Sequence, residues 1–272
     1  MFAHRDDVAS RPSVGRISER EAGIESGMNA LVPLLSRPES LGAIPTPNGL
    51  EALPSWLRFI VSRLVAQVLA GERCAQLAAH HATQLERTRE GRAMAARQAR
   101  DEARHVAFFT EVQRRLGPVR QVDADVAALF DKASRAEELP SLLMGTHLVI
   151  ETLGHALFDS AAGLLSSQSS NHLFSARTRA TLSSLSEAME RLQRDESQHL
   201  AYGILRLREE RALLDDDGRI AFDVDVAMWR RELANLFTRL PSLKLMQPWL
   251  GFRPASVLAH YDARARAIGV GS

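Results

Sequence analysis

The chain has 272 residues, of which 45% are hydrophobic and 25% charged, and its formal net charge is +1. That balance describes an ordinary globular protein at the upper end of single-domain size, with no strong field to attract nucleic acid or an anionic membrane. The lone cysteine, Cys74, excludes an internal disulfide and fits a reducing cytoplasm.

The N-terminal stretch MFAHRDDVASRPSVGR lacks the apolar core of a signal peptide, and no run of 18 consecutive apolar residues follows it. A cytoplasmic chain without a membrane span is therefore expected. Residues 1–50 hold many of the prolines and glycines, with the cluster IPTPNG, and read as an irregular or flexible arm. Residues 51–272 read as one helical domain with a C-terminal extension. From Pro54 the apolar residues recur at helical spacing without a proline, up to the polar break ERTREGR around Gly91. A second helix is predicted from about Arg92 to Leu116, ended by Gly117-Pro118. A short helix follows near Asp123–Ala136. A third long helix starts after Pro140, and SSQSSNH reads as the loop behind it. The fourth covers about Ala176–Leu214 and stops at DDDG, and a fifth is predicted over Asp223–Leu240. The tail QPWLGFRPASVLAHY is apolar and is expected to pack across the body. Strand signals are nearly absent, so the fold class is all-α: a four-helix bundle with extra helices.

Two of these helices carry one pattern. Arg100-Asp101-Glu102-Ala-Arg-His105 lies on the second, and Arg194-Asp195-Glu196-Ser-Gln-His199 on the fourth. Residues three apart share a helix face, so Glu102 with His105, and Glu196 with His199, form two-pronged faces. A dinuclear metal site in a bundle needs two such pairs and one further Glu from each of two other helices. Between Glu51 and Glu86 the first helix offers one acid, Glu72, among Val65, Val68, Leu69, Ala75 and Ala79. The third offers Glu151 between Glu138 and Asp159, with Met144, Leu148, Gly154 and Phe158 as neighbours on its face. An ionised carboxylate on an apolar face is costly unless a cation pairs with it.

Height gives an independent test. Residues of an antiparallel hairpin meet when they are equally far from the turn. Glu72 and Glu102 have their midpoint at 87, inside the polar break, roughly 22 Å from each along a helix. Glu151 and Glu196 have theirs between 173 and 174, at the edge of SSQSSNH. Both hairpins therefore bring their carboxylates level. Asp101 and Asp195 stand four residues before His105 and His199 and are expected to accept a hydrogen bond each from the histidine of their own helix. Four carboxylates and two neutral imidazoles carry a charge that two divalent cations balance, and oxygen-rich ligation with one nitrogen per metal suits iron or manganese.

These residues resemble the ferritin-like di-iron carboxylate proteins, and their order looks most like the branch of ribonucleotide-reductase small subunits and bacterial multicomponent monooxygenases. The resemblance covers about residues 55–210. It implies that Glu72, Glu102 and His105 bind one metal and Glu151, Glu196 and His199 the other, with Glu102 and Glu196 as bridges. It further implies a ferritin-like bundle holding two Fe ions, or a Mn/Fe pair, with O2 as co-substrate. The chain departs from that pattern where reductase subunits carry a radical tyrosine one turn after the first histidine; the residue there is Phe109, and the only tyrosines are Tyr202 and Tyr261. A third histidine before the last E-x-x-H, found in arylamine N-oxygenases, is absent from MERLQR.

The function expected is a non-haem dinuclear iron oxidase or oxygenase acting on a small organic molecule, with an electron-donor protein as partner and a homodimer as assembly. A ferroxidase or peroxide-scavenging protein is the alternative, and a metal-free helical interaction protein a third reading. His147 reads as a core histidine bonded to a neighbouring helix, while His155 is a candidate for the rim of the site. Gly154 and Gly203 either make room for substrate or let helices approach. Phe108, Phe109 and Phe158 read as core or pocket wall, Cys74 as inert, and Tyr202 as packing or an electron carrier.

Overall fold

A computed structural model describes residues 42–118, 120–240 and 252–271. Among them are seven helices and no strand. In chain order these are α1 (Ser55–Leu85), α2 (Arg89–Leu116), α3 (Ala124–Ser134), α4 (Leu139–Ser169), α5 (Ala176–Ala212), α6 (Asp216–Arg239) and α7 (Pro254–Ile268). Helices α1 and α2 form one long hairpin, α4 and α5 the other. The two turns lie between Leu85 and Arg89 and between Ser169 and Ala176, where the two midpoints require them. Thr88 caps α2 by accepting the Gly91 amide, and Ser175 caps α5 by accepting that of Thr178.

Two boundaries and the geometry of one helix differ from the sequence reading. Helix α2 begins at Arg89, because Gly91 lies in its first turn rather than in a break. A Cβ at Gly91 would sit 2.3 Å from a carboxylate oxygen of Glu86, so the glycine lets that side chain fold over the helix start. The segment DDDG does not separate two helices at a distance. Asp215 accepts the Gly218 amide and starts α6 at once, with Asp216 and Asp217 in the first turn, where the helix dipole favours acids. Helix α4 is continuous over 31 residues but widens to π-helical geometry over Met144–Ile150, immediately before Glu151. By length and composition α4 is apolar enough to cross a membrane, and half of that window is buried inside the protein.

Residues 1–41 of the expected arm lie outside the described residues. Its end is packed: Ile44 and Leu50 are buried, and the Asn48 carbonyl accepts the Thr181 hydroxyl of α5 at 2.9 Å. Residues 247–251 of the apolar tail also lie outside. The remainder forms α7, which buries Val257, Tyr261, Ala265 and Ile268 against α4, α5 and α6. Two apolar cores result. One, around Phe109, Phe158 and Leu182, fills the end of the bundle near the α4–α5 turn; the other, around Leu148, Tyr202 and Trp229, is closed by α3, α6 and α7. The charged site described next lies between them.

Candidate metal centre

All six side chains singled out from the sequence converge in the middle of the bundle, and each is at least 94% buried. Two overlapping groups form. Glu72, Glu102, His105 and Glu196 bring one ligand atom each within 4.8 Å of one another, and so do Glu102, Glu151, Glu196 and His199. Glu102 and Glu196 belong to both groups.

The distances show how they are shared. His105 Nδ1 lies 3.1 Å from Glu72 Oε2, 3.3 Å from Glu102 Oε2 and 3.4 Å from Glu196 Oε1. His199 Nδ1 lies 3.0 Å from Glu102 Oε1, 3.3 Å from Glu196 Oε2 and 3.8 Å from Glu151 Oε2. Each central carboxylate thus turns one oxygen to each histidine. A neutral imidazole has at most one hydrogen at Nδ1 and cannot satisfy three carboxylate oxygens. Glu102 Oε2 has no hydrogen-bond partner despite complete burial. A cation in each group resolves both deficits, and the donor set of oxygens with one nitrogen per group fits iron or manganese.

The electrostatics point the same way. Desolvation drives the carboxyls of Glu72 and Glu151 well above the usual carboxylate range. It pushes Glu102 and Glu196 upward too, but hydrogen bonds and nearby imidazole charge outweigh it. Glu102 is held well below its ordinary value and Glu196 falls to about 2. Burial disfavours charge on His105 and His199, yet the surrounding carboxylates win and raise both imidazoles well above their ordinary value. Protein groups alone therefore draw protons into a place that demands positive charge.

The two aspartates also reach the histidines, but crosswise. His105 Nε2 faces Asp195 Oδ2 on α5 at 3.4 Å, and His199 Nε2 faces Asp101 Oδ2 on α2 at 3.5 Å. The expected pairing within each helix is corrected: with Nδ1 turned to the carboxylates, Nε2 points across the helix interface. Arg104, between Glu102 and His105 in the first motif, binds both aspartates, Asp101 at 2.5 Å and Asp195 at 3.4 Å. It ties the two crossed pairs together from the solvent side.

Gln98 escaped the sequence reading. Its amide donates to Glu151 Oε1 at 2.7 Å and to Glu102 Oε1 at 3.3 Å, while its carbonyl faces His147 Nε2 at 3.0 Å. The signal was its place four residues before Glu102, on the same face. His147 is the core histidine expected, bonded to a neighbouring helix. Burial lowers it to about 3, so it is neutral, and its Nδ1 lies 2.9 Å from Thr146 Oγ1. His155 is partly exposed and belongs to neither group of ligand atoms.

A cleft with a cavity volume of about 60 Å³ opens on Glu72, Glu151 and Glu196; its other walls are mostly apolar, including Val68, Phe130 and Leu236. Gly154 lines it, and a Cβ there would meet only Phe158 at 3.9 Å, so this glycine leaves space. Gly203 has the other role: a Cβ there would sit 2.2 Å from the His147 ring. A second, wholly apolar cavity of about 80 Å³ is walled by Phe108, Phe109 and Phe158 and shares Leu64, Val68 and Leu157 with the cleft. Cys74 donates to the Phe130 carbonyl at 3.1 Å, and burial pushes its thiol up to about 12, which makes it unreactive.

No family model matches the sequence, and no curated protein matches it. Solved structures do. A protein with aldehyde deformylating oxidase activity from Synechococcus is 20% identical, with 80% of this chain and 93% of that chain covered and a TM-score of 0.58. A variant of an R2-like ligand-binding oxidase with aerobically reconstituted Mn/Fe cofactor is 14% identical, with 89% and 92% covered and a TM-score of 0.62. A further variant of such an oxidase, also with a Mn/Fe cofactor, is 15% identical, with 95% and 99% covered and a TM-score of 0.57. At these identities the likeness establishes the fold: the chain has the ferritin-like fold of di-metal carboxylate proteins.

Proposed function

We propose that this chain is a non-haem dinuclear iron oxidase or oxygenase that uses O2 to oxidise a small apolar organic molecule. The observation that carries this reading is the opening of an apolar cleft directly onto Glu72, Glu151 and Glu196, three of the six side chains that form the two ligand groups. Glu72, Glu102, His105 and Glu196 would hold one metal, and Glu102, Glu151, Glu196 and His199 the other. When bound, the pair supplies electrons to O2 and the oxidising power for the substrate. The Mn/Fe cofactors of the R2-like neighbours support manganese in one position as a variant of the same reading.

The protein's own part is geometry and dryness. Crossed aspartates fix the imidazoles with Nδ1 inward, and Gln98 holds Glu151 and Glu102 in register. Apolar walls exclude water and accept a substrate without polar anchors, which leaves the carboxylate end as the point where it reacts. Ferroxidase activity, with the metal ion itself as substrate, leaves such a cleft without a use.

Anaerobic loading with Fe(II) followed by air tests the reading. Absorption bands that appear with O2 and decay faster when an apolar substrate is added are expected. Iron that oxidises with no effect of any organic compound, and then leaves the centre, supports the ferroxidase reading instead.

A further inference from the structure

The chain has two described tyrosines, both fully buried, and they differ in one respect. Tyr261 donates its hydroxyl hydrogen to the Val226 backbone carbonyl at 2.7 Å, an acceptor that cannot take up a proton. Tyr202 donates to a carboxylate oxygen, Glu86 Oε1, at 2.6 Å. A phenol releases an electron readily only when its proton has somewhere to go.

Glu86 is built to receive one. It is buried, and its second oxygen, Oε2, has no hydrogen-bond partner. Its Oε1 also accepts Arg206 Nε at 2.9 Å. Arg206 in turn binds Glu209 and Glu210, and Glu210 pairs with the exposed Arg87 at 3.2 Å. The bonded set therefore holds three carboxylates against two guanidiniums, an excess of one negative charge. Arg92 joins only through the Glu86 backbone carbonyl. Protonation of Glu86 leaves the set balanced, and Arg206 keeps two acidic partners, so no buried charge is stranded.

The other side of Tyr202 leads to the candidate metal centre. Its ring stands edge-on to His147, with centroids 5.5 Å apart. His147 reaches Gln98, and Gln98 reaches Glu151 and Glu102. Every link is a direct contact. Gly203, beside Tyr202 in sequence, allows the imidazole to lie this close to α5.

We propose that Tyr202 is a redox relay that gives one electron to the oxidised centre through His147 and Gln98 while its hydroxyl proton passes to Glu86. The step leaves a neutral tyrosyl radical and a protonated Glu86, and lowers the centre's oxidation by one electron. This rests on the proposed reading of the centre as an O2-using metal site, which supplies the oxidant.

The test loads the full chain with Fe(II) anaerobically, admits air, freezes samples in time and records electron paramagnetic resonance. Wild type, Tyr202→Phe, Tyr261→Phe and Glu86→Gln are compared, with metal content and O2 uptake measured on the same samples. A tyrosyl signal is expected in wild type and Tyr261→Phe and none in Tyr202→Phe. In Glu86→Gln the signal should form about a hundredfold more slowly, a loss in the range of a positioned proton acceptor. If Glu86→Gln fails to fold, radical growth in D2O replaces it: slower growth than in H2O supports the proton step, and equal rates contradict it. A wild type that binds metal and consumes O2 without a tyrosyl signal overturns the relay, as does a signal that survives in Tyr202→Phe. Wild type without bound metal removes the relay together with the reading of the centre, and metal content tells the two failures apart.

Discussion

Glu102 turns Oε2 to His105 at 3.3 Å and Oε1 to His199 at 3.0 Å, so one carboxylate from α2 serves both halves of the site. Glu72 touches only the His105 half. Removal of the two should therefore differ. Glu102→Ala is expected to abolish both metal equivalents and Glu72→Ala only one, as read by metal analysis after loading. Equal losses contradict the shared role of Glu102.

The crossed aspartates give a sharper test, because each acts on the other helix. Asp195→Asn should weaken metal binding by about 10–100-fold, the usual cost of losing an outer partner of a ligating histidine. A double-mutant cycle assigns it. Asp195 should couple to His105, 90 residues away in sequence, and not to His199 of its own helix. Coupling to His199 restores the pairing within one helix.

Metal and protons compete for the same atoms, which fixes the pH dependence. His105 and His199 are raised well above their ordinary value, so Fe(II) affinity should climb as pH rises through those raised values. Stability of the metal-free protein should move the opposite way. His105, His199, Glu72 and Glu151 all hold protons more tightly folded than unfolded. The contribution of the histidines is complete below their unfolded value of about 6.5 and that of Glu72 and Glu151 below theirs of about 4.3; each is lost as pH rises from there through the raised folded value. Glu102 and Glu196 are shifted down, so their contribution is already complete above the unfolded carboxylate range. Thermal melts of the metal-free form should fall in Tm as pH rises above about 4.3 and more steeply above about 6.5, while the loaded form should hold steady.

The two glycines near the site predict opposite outcomes. Gly203→Ala forces a Cβ to within 2.2 Å of the His147 ring and should cost about 1–3 kcal/mol as overpacking. Gly154→Ala meets only Phe158 at 3.9 Å, so stability should hold and the cleft should narrow. Denaturant melts of both variants, with substrate affinity for the second, check this.

Much of the site was legible in the sequence because its rules are local. E-x-x-H fixes two side chains on one helix face, an acid on an apolar face signals a buried charge, and turn composition sets the height of each hairpin. Relations across helices were not legible. Asp101 and Asp195 precede their own histidines by four, and only the packing of α2 on α5 shows that each serves the other's. The widening of α4 over Met144–Ile150 has no local signal either. It goes with a tertiary contact at Gly145, where a Cβ would lie 2.9 Å from Ala133 of α3. The start of α6 at Asp216 was missed for a different reason. Aspartates that end one helix also cap the next, and sequence order alone does not say which.

The most direct measurement is a crystal structure of the iron-loaded protein with anomalous scattering at the iron edge. Two peaks about 3.5–4 Å apart are predicted, both between Glu102 and Glu196, one beside His105 Nδ1 and one beside His199 Nδ1. A map with no peak among these six side chains contradicts the account, as does a single peak that only one histidine reaches.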